Sequence, residues 1–215
     1  MLNVFARVHV NRVAKPLGAW LVGHGIAPDV VTVVGTVGTV AAATWFLPRD
    51  QLFLGAVVIT VFVLFDLLDG AMARAKGTTS PFGAVLDSAC DRVADGALFA
   101  GLTWWCLGVG GQRSLGVAAL ICLVAGQLVS YIKARAEGMD LAADGGLVER
   151  AERLIIALVG TGLQGLGVPY ALTVALWLLA AASLWTVGQR IVTVYRAAKA
   201  LGVPEPDPAD PATSP

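Results

Sequence analysis

The sequence predicts an all-α integral membrane protein, with six transmembrane helices preceded by an N-terminal amphipathic juxtamembrane helix. Of its 215 residues, 57% are hydrophobic and only 14% are charged, whereas a soluble domain usually carries about 25% charged residues. The apolar residues also collect in six runs, each about long enough for a helix to cross a ~30 Å hydrocarbon core. The runs cover residues 29–47, 51–68, 93–111, 115–132, 154–168 and 169–188.

Residues 1–24 are typical of an amphipathic helix that lies in the membrane interface. Leu2 and Phe5 fall on one side of such a helix, and Arg7 and Lys15 fall on the other. A helix with two such faces can bury its apolar side at headgroup depth. A disordered tail is the alternative for this segment.

Residues 25–200 are predicted to form one membrane domain, because short loops join the apolar runs. Residues 201–215 are rich in proline and aspartate and have almost nothing to bury, so we expect a disordered tail. The three cysteines, Cys90, Cys106 and Cys122, lie far apart without metal-ligand spacing. This pattern predicts free, apolar thiols.

Positive charges are unevenly distributed between the two ends of the predicted helices. Lys and Arg concentrate in the N-terminal segment, the second and fourth loops and the C-terminal end, and the other three loops hold only Arg49 and Arg113. By the positive-inside rule, both termini and the second loop are cytoplasmic. We therefore predict a multi-pass protein of the cell (plasma) membrane, surrounded by lipid and without a nucleic-acid partner.

Four aspartates flank the second loop: Asp66 and Asp69 before it, Asp87 and Asp91 after it. Ionisable residues within or beside membrane helices are energetically costly, so such a group is a candidate functional site. The helical spacing lets each of two helices present a pair of carboxylates from one face. At 1.5 Å per residue, Asp66 lies about 22 Å along its helix from Gln51, near the cytoplasmic edge of the membrane.

These carboxylates predict a metal centre, since like charges this close raise one another's pKa unless a cation compensates them. The ligands are all oxygen, which favours a hard ion such as Mg²⁺, with Mn²⁺ or Ca²⁺ as alternatives. Four carboxylates can hold two ions, and two-metal sites commonly carry out phosphoryl displacement. The alternatives are helix-end acids paired with Arg74 and Arg92, or the cation pathway of an ion transporter.

Two small residues, Gly70 and Ala73, share a helix face with the first two aspartates and leave room for a bulky ligand to approach the backbone. A further acid, Asp95, lies one turn beyond the last of the four aspartates. We predict a structural or supporting role for Asp95.

The pattern D-x-x-D-G-x-x-A-R-x8-G-x-x-x-D-x-x-x-D resembles the signature of the CDP-alcohol phosphotransferase family. Every signature position matches, namely Asp66, Asp69, Gly70, Ala73, Arg74, Gly83, Asp87 and Asp91. The resemblance implies a homodimeric enzyme in which an alcohol attacks the β-phosphorus of a CDP-linked lipid and CMP leaves. It further implies that Asp66, Asp69 and Asp87 are metal ligands, and that Asp91 is both a ligand and the general base.

The same resemblance implies a binding site for CDP-diacylglycerol at the start of the first apolar run and around the second loop. Asp29 stands where related enzymes often have asparagine, and a helix capped by Asp29 or Thr32 is the plainer interpretation of that segment. The implied contacts are Asp29, Val30, Val31, Thr32, Asp69, Gly70, Ala73, Arg74 and Ser80.

Basic residues at the predicted cytoplasmic ends of later helices suggest a pocket for a phosphorylated acceptor, because guanidinium groups grip phosphate well. The basic residues at these ends are Lys133, Arg135, Arg150, Arg153 and Arg190. The family resemblance implies that Lys133, Arg135, Arg153 and Arg190 bind the acceptor phosphate. Cationic residues placed there by the positive-inside rule alone are the alternative.

The stretches FVLFDLLDGAMAR and SYIKARAE and the ER-x-ER pattern resemble actinobacterial members of the family. Those members join CDP-diacylglycerol to D-myo-inositol 3-phosphate (L-myo-inositol 1-phosphate). A member that uses glycerol 3-phosphate remains the alternative.

Overall fold

The computed structural model describes residues 16, 18, 20–76, 80–143 and 145–200, with the backbone alone for 66–71 and 73–76. Within this part the regular structure is helical, with six long helices and a short 3₁₀ turn at Leu47–Arg49. The six are α1 (Pro28–Phe46), α2 (Leu52–Lys76), α3 (Pro81–Leu107), α4 (Arg113–Glu137), α5 (Arg150–Gly165) and α6 (Ala171–Ala200). Most of the predicted interfacial helix 1–24, and the tail 201–215, lie outside the described residues.

Three stretches of the described chain are long and apolar enough to cross a membrane: Pro28–Arg49, Arg113–Glu137 and Ala171–Ala200. A shorter apolar stretch, Leu52–Phe65, forms the first part of α2. The all-helical class is therefore confirmed, and six membrane crossings remain a prediction.

The helices α2 and α3 extend beyond the apolar runs that predicted them. The helix α2 continues to Lys76, and α3 already begins at Pro81. Ser80 caps α3, because its hydroxyl accepts a hydrogen bond from the Gly83 amide at 2.8 Å, and Pro81 suits the first helical position. Apolar runs mark the part of a helix inside lipid, whereas caps mark where it begins.

The helix α1 begins without a side-chain cap. Its N-cap residue is Ala27, followed by Pro28, and no side chain caps this end. The Thr32 hydroxyl instead donates to the Pro28 carbonyl at 3.2 Å. The interpretation that Asp29 or Thr32 caps this helix is therefore wrong, and Pro28, which fits the first turn without needing an amide donor, starts the helix.

Small residues let the helices approach closely in the core. The helix α1 packs against α2 and α3, α4 against α3 and α6, and α5 against α2 and α6. A Cβ added to Gly101 would lie 2.8 Å from the Ala43 carbonyl oxygen, and one added to Gly38 would overlap the Phe62 ring. Glycine contacts of this kind are typical of membrane helix packing.

The three cysteines are free, as predicted. Cys106 and Cys122 are buried and Cys90 is partly buried.

Candidate active site

The two aspartates of α2 lie on continuous helix, because the backbone is helical through residues 52–76. Asp66, Asp69, Gly70 and Ala73 therefore share one face of α2, within about 100° of one another. The helical register of this half of the motif is confirmed. Its ligand geometry stays a prediction, since these side chains are outside the described part.

The helix α3 carries a stripe of acids that runs from the surface into the protein. Asp87 is exposed, the Asp91 side chain is 17% exposed, and the Asp95 side chain is 4% exposed. The three residues are each four positions apart, so they share one face of the helix. Asp91 thus lies at the boundary between solvent and the helix bundle.

Three arginines compensate the inner two acids of this stripe. Arg150 reaches from α5, with its Nη2 2.8 Å from Asp91 Oδ1 and its Nε 3.3 Å from Asp95 Oδ1. Arg153 Nη2 lies 2.5 Å from Asp95 Oδ2 in a buried pair. Arg92 is more distant, with its Nη2 3.7 Å from Asp91 Oδ2. A charge this deep is tolerated only when it is paired in this way.

The N-termini of α1 and α3 meet beside these acids. A Cβ added to Gly83 would lie 3.0 Å from Ser80 Oγ and 3.3 Å from Asp29 Oδ1. The structure therefore brings together Asp29 and Ser80, two predicted lipid-nucleotide contacts that are far apart in sequence. Ser80 also has the plainer role of a helix cap.

A cavity of about 10 Å³ lies between α1, α2, α3 and the start of α5. Its wall includes Thr32 from the first predicted contact segment, Asp91 from the acidic stripe and Arg150. Thr32 is 7% exposed, whereas Val30 is an exposed hydrophobic residue and Val31 is partly buried. Among residues 29–32, Thr32 is therefore the one that faces Asp91 across this cavity.

The predicted acceptor residues fall into a buried pair and a surface pair. Arg153 is 2% exposed and Arg190 is 4% exposed. Arg190 donates from Nη1 to the Val129 carbonyl at 2.8 Å and from Nε to the Gly145 carbonyl at 3.2 Å. Lys133 is partly exposed near Glu137, at 3.7 Å, and Arg135 is exposed.

Two of these four residues have a direct structural link, one to the acids and the other to the helix that carries Lys133. Arg153 joins the acidic stripe through Asp95. Arg190 binds the carbonyl of Val129, which lies one helical turn before Lys133 on α4. A common pocket for all four stays a prediction.

The loop between α4 and α5 is hydrogen-bonded to α6 through Gln189 and Thr186, two residues for which the sequence predicted no role. The Leu147 amide donates to Gln189 Oε1 at 3.1 Å, and the Val148 amide donates to Thr186 Oγ1 at 3.2 Å. On α6, Thr186 lies one turn before Gln189 and Arg190. Neither polar residue has a sequence signal beyond its position on an otherwise apolar helix.

The sequence places Arg150 among the cations at the cytoplasmic ends of the helices, but it does not predict which acids Arg150 contacts. The ER-x-ER pattern holds the signal, because arginines three positions apart share a helix face. Asp95 is a salt-bridge partner of both arginines, as its predicted structural role requires.

The donor set fits a hard divalent cation, since Asp87 and Asp91 add carboxylate oxygens to those of Asp66 and Asp69. The described side chains alone contain no cluster of three His, Cys, Asp or Glu residues able to hold a metal. Asp95 does not fit as a ligand, because its side chain is only 4% exposed and is paired with the buried Arg153.

Comparison with known proteins identifies the class of protein that this fold and acid pattern define. Residues 25–192 match the model of the CDP-alcohol phosphatidyltransferase family. The chain belongs to the CDP-alcohol phosphatidyltransferase family, so the predicted resemblance is confirmed and the protein is a phosphatidyltransferase.

Among its relatives, the chain is 52% identical over 193 residues to the phosphatidylinositol phosphate synthase of Mycobacterium marinum, covering 88% of this chain and 82% of the relative. It is 50% identical over 203 residues to that of Streptomyces avermitilis, covering 91% and 83%.

Solved structures agree with these sequence relatives. The Mycobacterium tuberculosis phosphatidylinositol phosphate synthase with CDP-DAG bound aligns with a TM-score of 0.85 and 49% identity, covering 91% of this chain and 100% of that chain. The same enzyme in complex with manganese and citrate aligns with a TM-score of 0.84 and 49% identity, covering 89% and 93%.

Proposed function

We propose that this chain is a phosphatidylinositol phosphate synthase. It transfers the phosphatidyl group of CDP-diacylglycerol to D-myo-inositol 3-phosphate (L-myo-inositol 1-phosphate) and releases CMP. The observation that carries this proposal is the similarity to enzymes of that name, which are 50–52% identical to this chain over more than 80% of both chains.

In the proposed reaction, an inositol hydroxyl oxygen bonds to the β-phosphorus as the bond from that phosphorus to the CMP oxygen breaks. Asp91 accepts the hydroxyl proton, and its half-buried position at the rim of the bundle supports this role. Asp66, Asp69, Asp87 and Asp91 would hold two divalent ions, Mg²⁺ or Mn²⁺. When bound, such ions offset negative charge on the phosphate oxygens, and a manganese complex is known for the M. tuberculosis relative.

The lipid nucleotide would bind where the N-termini of α1 and α3 meet. Asp29 and Ser80 lie on either side of Gly83 there, and the M. tuberculosis relative has a structure with CDP-DAG bound. The remaining proposed contacts are Val30, Val31, Thr32, Asp69, Gly70, Ala73 and Arg74.

The acceptor phosphate would bind to the basic residues Lys133, Arg135, Arg153 and Arg190. Arg190 uses two of its five possible N–H donors on backbone carbonyls, which fixes the direction of its guanidinium. Arg153 Nε is buried and has no hydrogen-bond partner among the described residues. A buried donor of this kind suits an anionic ligand, because leaving it unsatisfied is costly.

We further propose that all six helices cross the plasma membrane, with both termini and the active site in the cytoplasm, and that the enzyme is a homodimer. The concentration of Lys and Arg in alternate loops supports the orientation.

The acceptor is tested by incubating purified protein with CDP-diacylglycerol, Mg²⁺ and one alcohol at a time, and measuring CMP release. Inositol phosphate should be the preferred acceptor over glycerol 3-phosphate and unphosphorylated inositol. Chelation with EDTA should stop CMP release, and added Mg²⁺ or Mn²⁺ should restore it. Faster release with glycerol 3-phosphate would assign the chain to another branch of the family, and metal-dependent ion flux without CMP would indicate a transporter.

The acceptor pocket is tested with Lys133→Gln, which removes a partly exposed cation whose surface ion pair contributes little to stability. The KM for inositol phosphate should rise about tenfold, the size of one charge-assisted hydrogen bond to phosphate, with the KM for CDP-diacylglycerol unchanged. Lys199→Gln, at the exposed end of α6, is the matched control. Equal rises in both KM values would count against an acceptor-specific role for Lys133.

A further inference from the structure

The start of α5 is held in a defined position. The side chains of Glu149 and Glu152 form a reciprocal capping box, with the Glu149 amide 3.2 Å from Glu152 Oε2. Two orphan amides are satisfied in this arrangement, so the first helical turn is fixed. Arg150 is the first residue of that turn, and its backbone is anchored independently of its side chain.

The Arg150 side chain spans the space between α5 and α3. These two helices make little direct backbone contact in the described part of the chain. One guanidinium contacts two carboxylates a helical turn apart, at 2.8 Å to Asp91 and 3.3 Å to Asp95. The rigid fork of arginine is suited to such two-point contact.

Of its two contacts, Arg150 makes the shorter one with Asp91, whereas Asp95 has a second and closer partner. Arg153 lies 2.5 Å from Asp95, and both side chains are nearly inaccessible to solvent. Asp95 and Arg153 thus form a buried ion pair, and Arg150 contacts Asp95 through its Nε. From there its Nη2 reaches outward to the more exposed Asp91.

We propose that Arg150 is a positioning residue that orients the Asp91 carboxylate by tying it to the buried Asp95–Arg153 pair. This inference rests on the proposed role of Asp91 as base and metal ligand. It has two separable consequences, because the arginine both orients the Asp91 carboxylate and places a positive charge beside it.

The orientation of the Asp91 carboxylate should affect turnover. A base must be within hydrogen-bond reach of its proton, and a small misplacement of a reacting group costs about 100-fold in rate. The Arg150→Gln variant should therefore lower kcat about 10- to 100-fold, with little change in either KM.

The positive charge of Arg150 should lower the affinity of the site for a metal ion, so removing this charge should raise the affinity. A guanidinium 2.8 Å from Asp91 disfavours a second cation on the same carboxylate, because like charges repel most strongly where solvent screening is weak. The affinity of the Arg150→Gln variant for Mn²⁺ should therefore be at least about threefold higher than that of the unmodified protein. Arg150→Lys keeps the charge without the fork, so its Mn²⁺ affinity should stay near that of the unmodified protein while kcat remains reduced.

The experiment measures Mn²⁺ binding to the detergent-solubilised full chain by electron paramagnetic resonance of free Mn²⁺, and CMP release in the same preparations. Arg196→Gln, an exposed arginine near the end of α6, is the matched control and should change neither quantity. Adding Arg150→Gln to an Asp91→Asn chain should raise Mn²⁺ affinity less than it does in the unmodified chain, because the arginine and the ion then no longer compete for a charged carboxylate.

A kcat within twofold of the unmodified protein for Arg150→Gln would overturn the inference, and so would weaker Mn²⁺ binding, which a merely structural arginine would produce. An unmodified chain that bound no Mn²⁺ would overturn it as well. If no acceptor yields CMP, the proposed function fails, and the Mn²⁺ measurements then decide the role of Arg150 alone, since they need no turnover.

Discussion

Asp87, Asp91 and Asp95 have the same side chain and the same spacing, yet they lie in three different environments along α3. Asp87 is exposed, Asp91 is half-buried beside two arginines, and Asp95 is buried between Arg150 and Arg153. Because burial determines whether a carboxylate can reach a ligand, depth along the helix separates a candidate catalytic acid from a structural one.

At Asp91, substitution by asparagine should abolish proton acceptance while keeping the shape of the side chain. General-base catalysis contributes about 100-fold or more, so CMP release should fall by at least that factor. The melting temperature in detergent should stay close to that of the unmodified protein.

Asp140→Asn is the matched control for that substitution. Asp140 is exposed and has a positive φ of 56°, a conformation that asparagine tolerates. Near-normal turnover of Asp91→Asn would show that the base has been assigned to the wrong residue.

Asp95→Asn should destabilise the fold, because it leaves the buried Arg153 guanidinium uncompensated. Breaking a buried pair from one side costs about 3–5 kcal/mol. Thermal unfolding in detergent measures the loss, and the apolar double substitution of Asp95 and Arg153 should recover part of it. A single variant as stable as the unmodified protein would mean that the pair contributes little.

At the scale of single elements, close packing depends on glycines that face neighbouring backbone. Gly101 of α3 approaches the Ala43 carbonyl of α1, so an added Cβ would lie only 2.8 Å from that oxygen. A backbone atom cannot move aside as a flexible side chain can. The contact between α1 and α3 therefore requires glycine at this position.

Gly101→Ala should destabilise the protein by about 1–3 kcal/mol, the usual cost of overpacking. Gly188→Ala is the matched control, because a Cβ there meets nothing within 4 Å. Within a helix that control should be neutral or stabilising by up to about 1 kcal/mol. Both values come from thermal unfolding of detergent-solubilised protein, and equal effects at the two positions would contradict the packing argument.

At the scale of the whole molecule, the proposed orientation places the link between α1 and α2 outside the cell and the link between α4 and α5 inside. Gln51 and Asp140 are exposed residues of these two links. In intact cells, a membrane-impermeant thiol reagent should label Gln51→Cys and spare Asp140→Cys.

The unmodified chain measures the background from the three native cysteines. Labelling of Asp140→Cys and not of Gln51→Cys would reverse the orientation.

The helices and the acidic half of the site were predictable because both depend on local patterns. The apolar runs are long enough to predict helices from the sequence. Asp87 and Asp91 lie at a helical spacing, which any continuous helix places on one face. The ends of α2 and α3 were less predictable, since helical hydrogen bonding continues past the lipid-facing residues until a cap such as Ser80.

By itself the sequence determined the helical class, the family and the faces on which the acids lie, because composition and spacing are properties of the chain before it folds. Only the tertiary structure decided that Arg150 contacts Asp91, that Arg153 belongs to Asp95, and that Arg190 binds the carbonyls of Val129 and Gly145. These partners are more than 40 residues apart in the chain. Pairing at such separations is set by how helices pack in three dimensions, which no local spacing encodes.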